Sequence, residues 1–148
     1  MNSEHEKYMR IALQQASRAF EQGEVPIGCV IVSNTTQTII AKAYNQVETL
    51  QDPTAHAEIL AITAACTYLG SKYLTDCTLY VTLEPCLMCL GAIFWAQLSQ
   101  VVFGAYEAKY SAMHSIKLLL DKRISIVGGV LEQECSTLIQ EFFRARRK

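Results

Sequence analysis

CTLYVTLEPCLMC, residues 77–89, joins two kinds of local structure within one short stretch. Its first seven residues, Cys77 to Leu83, are rich in β-branched and aromatic side chains and read as a strand. Pro85 suits the first turn of a helix, because its missing N–H is not needed there. The apolar run that follows carries this helix to about Leu98, and QVVFGA (100–105) is the next strand. Upstream, PTAHAEILA (53–61) opens a second helix, with Thr54 as a cap and Gly70 after its end near Leu69. Before it, PIGCVIV (26–32) and TIIAKAY (38–44) are strands joined by the polar turn NTTQ, a hairpin. Residues 45–53 read as a loop. Apolar residues at helical spacing over 4–22 stop at Gly23. RISIVGGV (123–130) contains a last strand, and Leu131, Cys135, Leu138, Ile139 and Phe142 share one face of a final helix. Strands alternating with helices specify an α/β fold. The expected form has three layers, α-β-α, around a central mixed sheet of five strands.

The 148 residues fit one domain, 1–148, and at 51% hydrophobic they suffice for a core. A net charge of −1 supplies no global field for nucleic acid, so any such binding needs a local basic patch. The polar N-terminus MNSEHEKYMR does not read as a signal peptide. The longest apolar run, Cys86 to Ala96, is far short of the roughly 20 residues of a membrane span. A cytoplasmic protein without membrane contact is the expectation. Six cysteines permit three disulfides, but cytosolic thiols stay reduced. Cys29, Cys66, Cys77 and Cys135 lie in apolar, periodic segments and read as small buried hydrophobes.

Cys86 and Cys89 differ by their spacing. Three residues apart at a helix start, they aim two sulfurs at one point, where free backbone amides favour thiolates. Taken alone, the pair fits a redox motif, a metal site or an accident of a buried helix. His56, also in a first helical turn, adds a nitrogen. One imidazole and two thiolates make three zinc ligands and leave the fourth position open, the pattern of a catalytic rather than a structural site. No fourth protein ligand presents itself, since His5 and His114 fall in terminus and loop. Glu58 does not share a helix face with His56, so it is not read as a ligand. Near a helix start it leans toward the N-terminus and can reach a metal-activated water as a proton shuttle.

HAE followed by PCLMC, with Glu84 before the proline, resembles the H-x-E…P-C-x-x-C signature of the zinc-dependent nucleobase deaminases. The likeness extends through EVPIGCVIV, DPTAHAEILA, TLYVTLEPCLMC, VVFGA, GGVLEQEC and EFFRARRK, from about Glu6 to Lys148. Along that length the chain looks like the bacterial tRNA-specific adenosine deaminases. The resemblance implies a cytidine deaminase-like fold and one Zn²⁺ per chain held by His56, Cys86 and Cys89. It implies Glu58 as general acid and base, with hydrolytic loss of ammonia from the wobble adenosine of a tRNA anticodon. By the same likeness Asn45 hydrogen-bonds the flipped base. Pro26, Ile27 and Ala55 help form the pocket, and Glu107 stands near the neighbouring nucleotide.

A second substrate stays open. DPTAHAE, LTDCTLY and PCLMCLGAIFWA also resemble bacterial guanine deaminases, which act on a free base with the same metal set. The tail favours RNA: Arg144, Arg146, Arg147 and Lys148 follow Phe142 and Phe143, cations for phosphates and rings for splayed bases. Cations at a helix C-terminus also complement its dipole. The loop YEAKYSAMHS (106–115) departs from the family pattern, with Tyr110, Met113 and His114 in place of small residues and Lys109 kept. A non-catalytic, zinc-stabilised subunit is the third reading, against which Glu58 argues. Leu87, Leu90, Ile93, Phe94 and Trp95 give helix 85–98 more apolar surface than one core face needs, which suggests another subunit. The resemblance implies a homodimer that engages a tRNA anticodon stem-loop.

Overall fold

The hairpin at the N-terminal end of the sheet and the parallel strands behind it build on a shared centre. In the computed structural model, which describes residues 2–107 and 123–146, the elements run α1 (Asn2–Glu21), β1 (Gly28–Ser33), β2 (Thr38–Tyr44), α2 (Val47–Leu50) and α3 (Ala57–Leu69). They continue with β3 (Cys77–Leu83), α4 (Leu87–Ala96), β4 (Gln100–Ala105), β5 (Ser125–Val127) and α5 (Glu132–Arg146). The five strands form one sheet in the order β2-β1-β3-β4-β5. β1 pairs antiparallel with both β2 and β3, whereas β3–β4 and β4–β5 are parallel, so the sheet is mixed as expected.

The central strands are buried on both sides, which is why they read as continuous apolar runs. Alternate side chains serve opposite faces. Cys29, Ile31, Leu79, Val81, Val101 and Phe103 pack with Ala57, Ala61 and Ala65 of α3 and Leu90, Ile93 and Ala96 of α4. Val30, Val32, Tyr80 and Val102 pack with Tyr8, Met9 and Ala12 of α1 and Cys135 of α5. The result is three layers. α1 lies so close to β1 that a Cβ on Gly28 would collide with the Ala12 carbonyl oxygen and the Ala16 amide. No helix among the described residues is long and apolar enough to cross a membrane.

Several boundaries differ from the expectation, each for a local reason. β1 begins at Gly28 rather than at Pro26, which has no N–H for the ladder. The 45–53 stretch is not all loop but holds the single helical turn α2. α3 is capped at His56, not at Thr54, because Asp52 Oδ1 accepts both the amide and the hydroxyl of Thr54 at 2.8 Å. Cys86 is the N-cap of α4, which puts Pro85 just outside the helix. β5 is only three residues long. Beyond it Gly128 passes against the Phe103 ring and the Tyr106 hydroxyl, and Gly129, at φ +86°, turns the chain toward α5.

Candidate metal centre and active-site cavity

Two helix starts meet above the sheet. The Asp52 turn, with Ala55 N–H donating to Asp52 O (3.1 Å) and His56 N–H to Thr54 O (2.7 Å), presents His56 at the head of α3. The β3–α4 junction presents Cys86 at the N-cap and Cys89 in the first turn of α4. His56 Nδ1 lies 3.7 Å from Cys86 Sγ and 3.6 Å from Cys89 Sγ. One donor atom from each of the three residues lies within 4.8 Å of the others, so they can hold one metal ion. A tetrahedral ion with ordinary Zn–N and Zn–S bonds separates such atoms by about 3.6 Å, so the donor set fits zinc. The Cys86 and Cys89 side chains hydrogen-bond to one another. The Cys89 thiol donating to Cys86, with help from His56, holds Cys86 down at about 4 against the effect of its burial. Cys89 is pushed well up by that same interaction and by burial. The Cys86 contact also raises His56 above its ordinary value. Free amides at both helix starts add stabilisation for the thiolate form.

Glu58 occupies the second helical position of α3 and faces inward with Ala57, Ala61 and Ala65. It is 4% exposed, and its Oε1 has no hydrogen-bond partner among the described residues. Burial pushes its carboxyl up to about 7. Burial likewise raises the Cys29 thiol well above its ordinary value, and the nearby Glu58 charge adds to the effect.

Two cavities open at this centre. One, about 560 Å³, contains His56, Glu58 and Cys86 and runs to Glu84, Tyr106 and Glu107, with Ile139, Gln140 and Phe143 of α5 as its far wall. The other, about 680 Å³, contains His56 with Glu24, Asn45, Phe142 and Arg146. Val25, Ile27, His56 and Phe143 line both, so the cavities adjoin beside the imidazole. Glu84 Oε1 accepts the Glu107 amide at 3.0 Å, fixing the chain just past β4 at the cavity edge.

His56, Cys86, Cys89 and Glu58 are thus brought together, and Asn45, Ile27 and Glu107 line the cavities. Pro26 is buried and lines neither cavity; Val25 and Ile27 on each side of it do. Ala55 is buried, with its carbonyl accepting the Gln46 amide at 3.0 Å, and is not a lining residue. Arg144 is exposed. Arg146 turns back on its own chain, with Nη2 donating to Gly23 O at 2.6 Å and its guanidinium 4.4 Å from the centre of the Phe142 ring. Arg147, Lys148 and the 108–115 part of the departing loop lie outside the described residues. The α5 wall and Glu24 were absent from the expectation. Phe143 was expected as a ring for splayed bases beside the basic tail, and the apolar face of α5, which it stands just off, did not show that it borders both cavities.

Residues 2–105 match the family model of the cytidine and deoxycytidylate deaminase zinc-binding region. A tRNA-specific adenosine deaminase of Aquifex aeolicus (strain VF5) is 46% identical over 147 residues, spanning 96% of this chain and 95% of that protein. A solved structure from a study of A-to-I editing by tRNA:A34 deaminases at the wobble position superposes with a TM-score of 0.81. It is 37% identical and covers 89% of this chain and 98% of its own. A guanine deaminase structure from Bacillus subtilis has a TM-score of 0.66 at 42% identity, with 76% of this chain and 74% of that one covered. By the match to the family model and by near full-length similarity, this chain belongs to the zinc-binding cytidine and deoxycytidylate deaminase family, alongside the bacterial tRNA-specific adenosine deaminases.

Proposed function

We propose that this chain hydrolyses the exocyclic amine of adenosine to give inosine at the wobble position of a tRNA anticodon. The observation that carries the chemistry is Glu58: a buried carboxylate with an orphaned oxygen, next to three metal-ligating atoms. A fold does not tolerate such a group for packing alone. His56, Cys86 and Cys89 would hold a zinc ion, which would supply Lewis acidity beside Glu58. Glu58 then accepts the proton from water and delivers it to the ring as the oxygen bonds to the amine-bearing carbon. A second proton passes through Glu58 to the departing amine, the C–N bond breaks, and ammonia leaves. Burial raises this carboxyl above its ordinary value, which favours a group that must both take and give a proton. Asn45 orients the base, Val25 and Ile27 form a wall that keeps water from it, and Glu107 stands at the rim beside the next nucleotide.

RNA as the substrate class is supported by the near full-length likeness to the tRNA-specific adenosine deaminases, which includes the C-terminal helix. Arg144, exposed on that helix, with Arg147 and Lys148 beyond it, gives a cationic tail for phosphates, and exposed Phe143 offers a ring at the cavity mouth. Such a substrate puts the work in the cytoplasm. We read the assembly as a homodimer: α4 exposes Leu87 (63%), Met88 (38%) and Trp95 (76%), an apolar face for a second copy to cover.

The second reading, deamination of free guanine, is favoured by the 42% identity to the Bacillus subtilis guanine deaminase over three-quarters of the chain. Ammonia release measured side by side separates the two. An anticodon stem-loop with adenosine at the wobble position is expected to turn over, with guanine, adenine and cytosine left unchanged. Turnover of guanine without turnover of the stem-loop would replace the first reading with the second.

A further inference from the structure

We propose that Glu24 is a positioning residue: with Arg146 it clamps the turn at 46–50 and thereby sets Asn45 against the cavity beside His56. The proposal rests on the functional reading above only in taking Asn45 as a base contact.

Glu24 is 1% exposed, yet it is fully engaged. Oε1 accepts the Glu48 amide at 3.1 Å, and Oε2 accepts the amide and the hydroxyl of Thr49, each at 2.6 Å. These amides are the unpaired donors at the start of α2, whose own N-cap residue, Gln46, makes no side-chain cap. A four-residue helix has no stability of its own, and α2 buries none of its residues. What holds it in shape is a carboxylate from the chain just before β1, reaching across the open end of the β1–β2 hairpin, where Gly28 pairs with Tyr44. Burial opposes the charge on Glu24, but these bonds and the Arg146 charge outweigh it and hold the carboxyl below its ordinary value.

Asn45 lies between this turn and the sheet. Its amide donates to Ile27 O at 3.0 Å, and the next amide, Gln46, donates to Ala55 O at 3.0 Å. Asn45 is therefore fixed on one side by β2 and on the other by a turn that depends on Glu24. Arg146 fastens the C-terminal helix to the same place through the Gly23 carbonyl, with its guanidinium resting on the Phe142 ring of its own helix. Gly23, at φ +77°, turns the chain into this segment. Because α5 is also the far wall of the first cavity, one clamp sets the spacing of both cavities. Arg146 in this role is a strap within the chain rather than a phosphate ligand.

The test pairs amide exchange with a double-mutant cycle. In Glu24→Gln, one acceptor becomes a donor and the charge is lost. Exchange at the Asn45, Gln46, Glu48 and Thr49 amides is expected to speed up at least ten-fold, with β3 amides unchanged. Unchanged protection at Asn45 would overturn the clamp, and this readout needs no substrate. In the cycle, Glu24→Gln is expected to lower kcat/KM for the stem-loop at least ten-fold in the native background, but less than two-fold in Asn45→Ala under single turnover. Equal losses in both backgrounds would overturn the proposal, since a merely structural residue acts alike in each. Arg146→Met repeats the cycle if Glu24→Gln does not fold. If the native chain turns over guanine and not the stem-loop, the functional reading has failed, and the same cycle run on guanine still decides the role of Glu24.

Discussion

A carboxylate oxygen kept from water without a partner costs free energy that packing does not return. Glu58 carries that cost at a position where the alanines of α3 show what the core would otherwise accept. Glu58→Gln keeps the shape and removes the charge. It is expected to retain one zinc per chain and to melt no lower than the native protein. A fall in Tm of more than about 4 °C, the scale of 1 kcal/mol for a domain of this size, would show that Glu58 serves the fold instead. Loss of zinc in the same variant would make it a ligand. At this scale the sequence is informative because metal chemistry constrains residue type and spacing together. His56, Cys86 and Cys89 stand at helix starts whose free amides suit them, and that is visible in the order of residues. Glu24 is not legible in this way. Its partners, Glu48 and Thr49, lie 24 and 25 residues further along, and only the folded hairpin brings them to it.

Among the elements, β2, β3 and β4 follow the read bounds because apolar and β-branched runs end at clear punctuation. The helix starts do not. Thr54 is a good N-cap by type, but Asp52 takes its hydroxyl in a turn, and the helix begins later with His56 at its cap. That shift serves the site, since the N-cap position aims His56 outward and leaves Glu58 facing in. α2 escaped the reading because its cap comes from a distant residue. Gly28 shows a constraint of another kind, a helix backbone pressed onto a strand. Gly28→Ala forces α1 away from β1, and the obstructing atoms are backbone, which cannot rotate aside. A loss of at least about 2 kcal/mol is expected from such overpacking, read as a lower urea midpoint at unchanged m. An unchanged midpoint would mean that α1 is less tightly seated than its distance from β1 indicates.

For the molecule as a whole, the alternation of strands and helices made the layered fold readable, but cavity walls depend on packing that no short stretch encodes. α5 reads as an amphipathic helix, and only its seat beside β4 makes Phe143 and Gln140 part of the site. The apolar circumference of α4 was legible, and Trp95, 76% exposed, marks the face left uncovered in a single chain. Trp95→Glu is expected to shift the mass in solution from dimer to monomer, and a native chain already monomeric at micromolar concentration would remove the dimer from the account. The central claim is that a His56–Cys86–Cys89 metal centre and the Glu58 carboxyl together deaminate adenosine within an anticodon loop. Its most direct test is the nucleoside content of a zinc-loaded stem-loop reaction, measured by mass for native protein and Glu58→Gln side by side. The account predicts inosine at the wobble position with the native chain, and at least about a hundred-fold less with the variant. Equal inosine from both, or none from the zinc-loaded native chain, would contradict it.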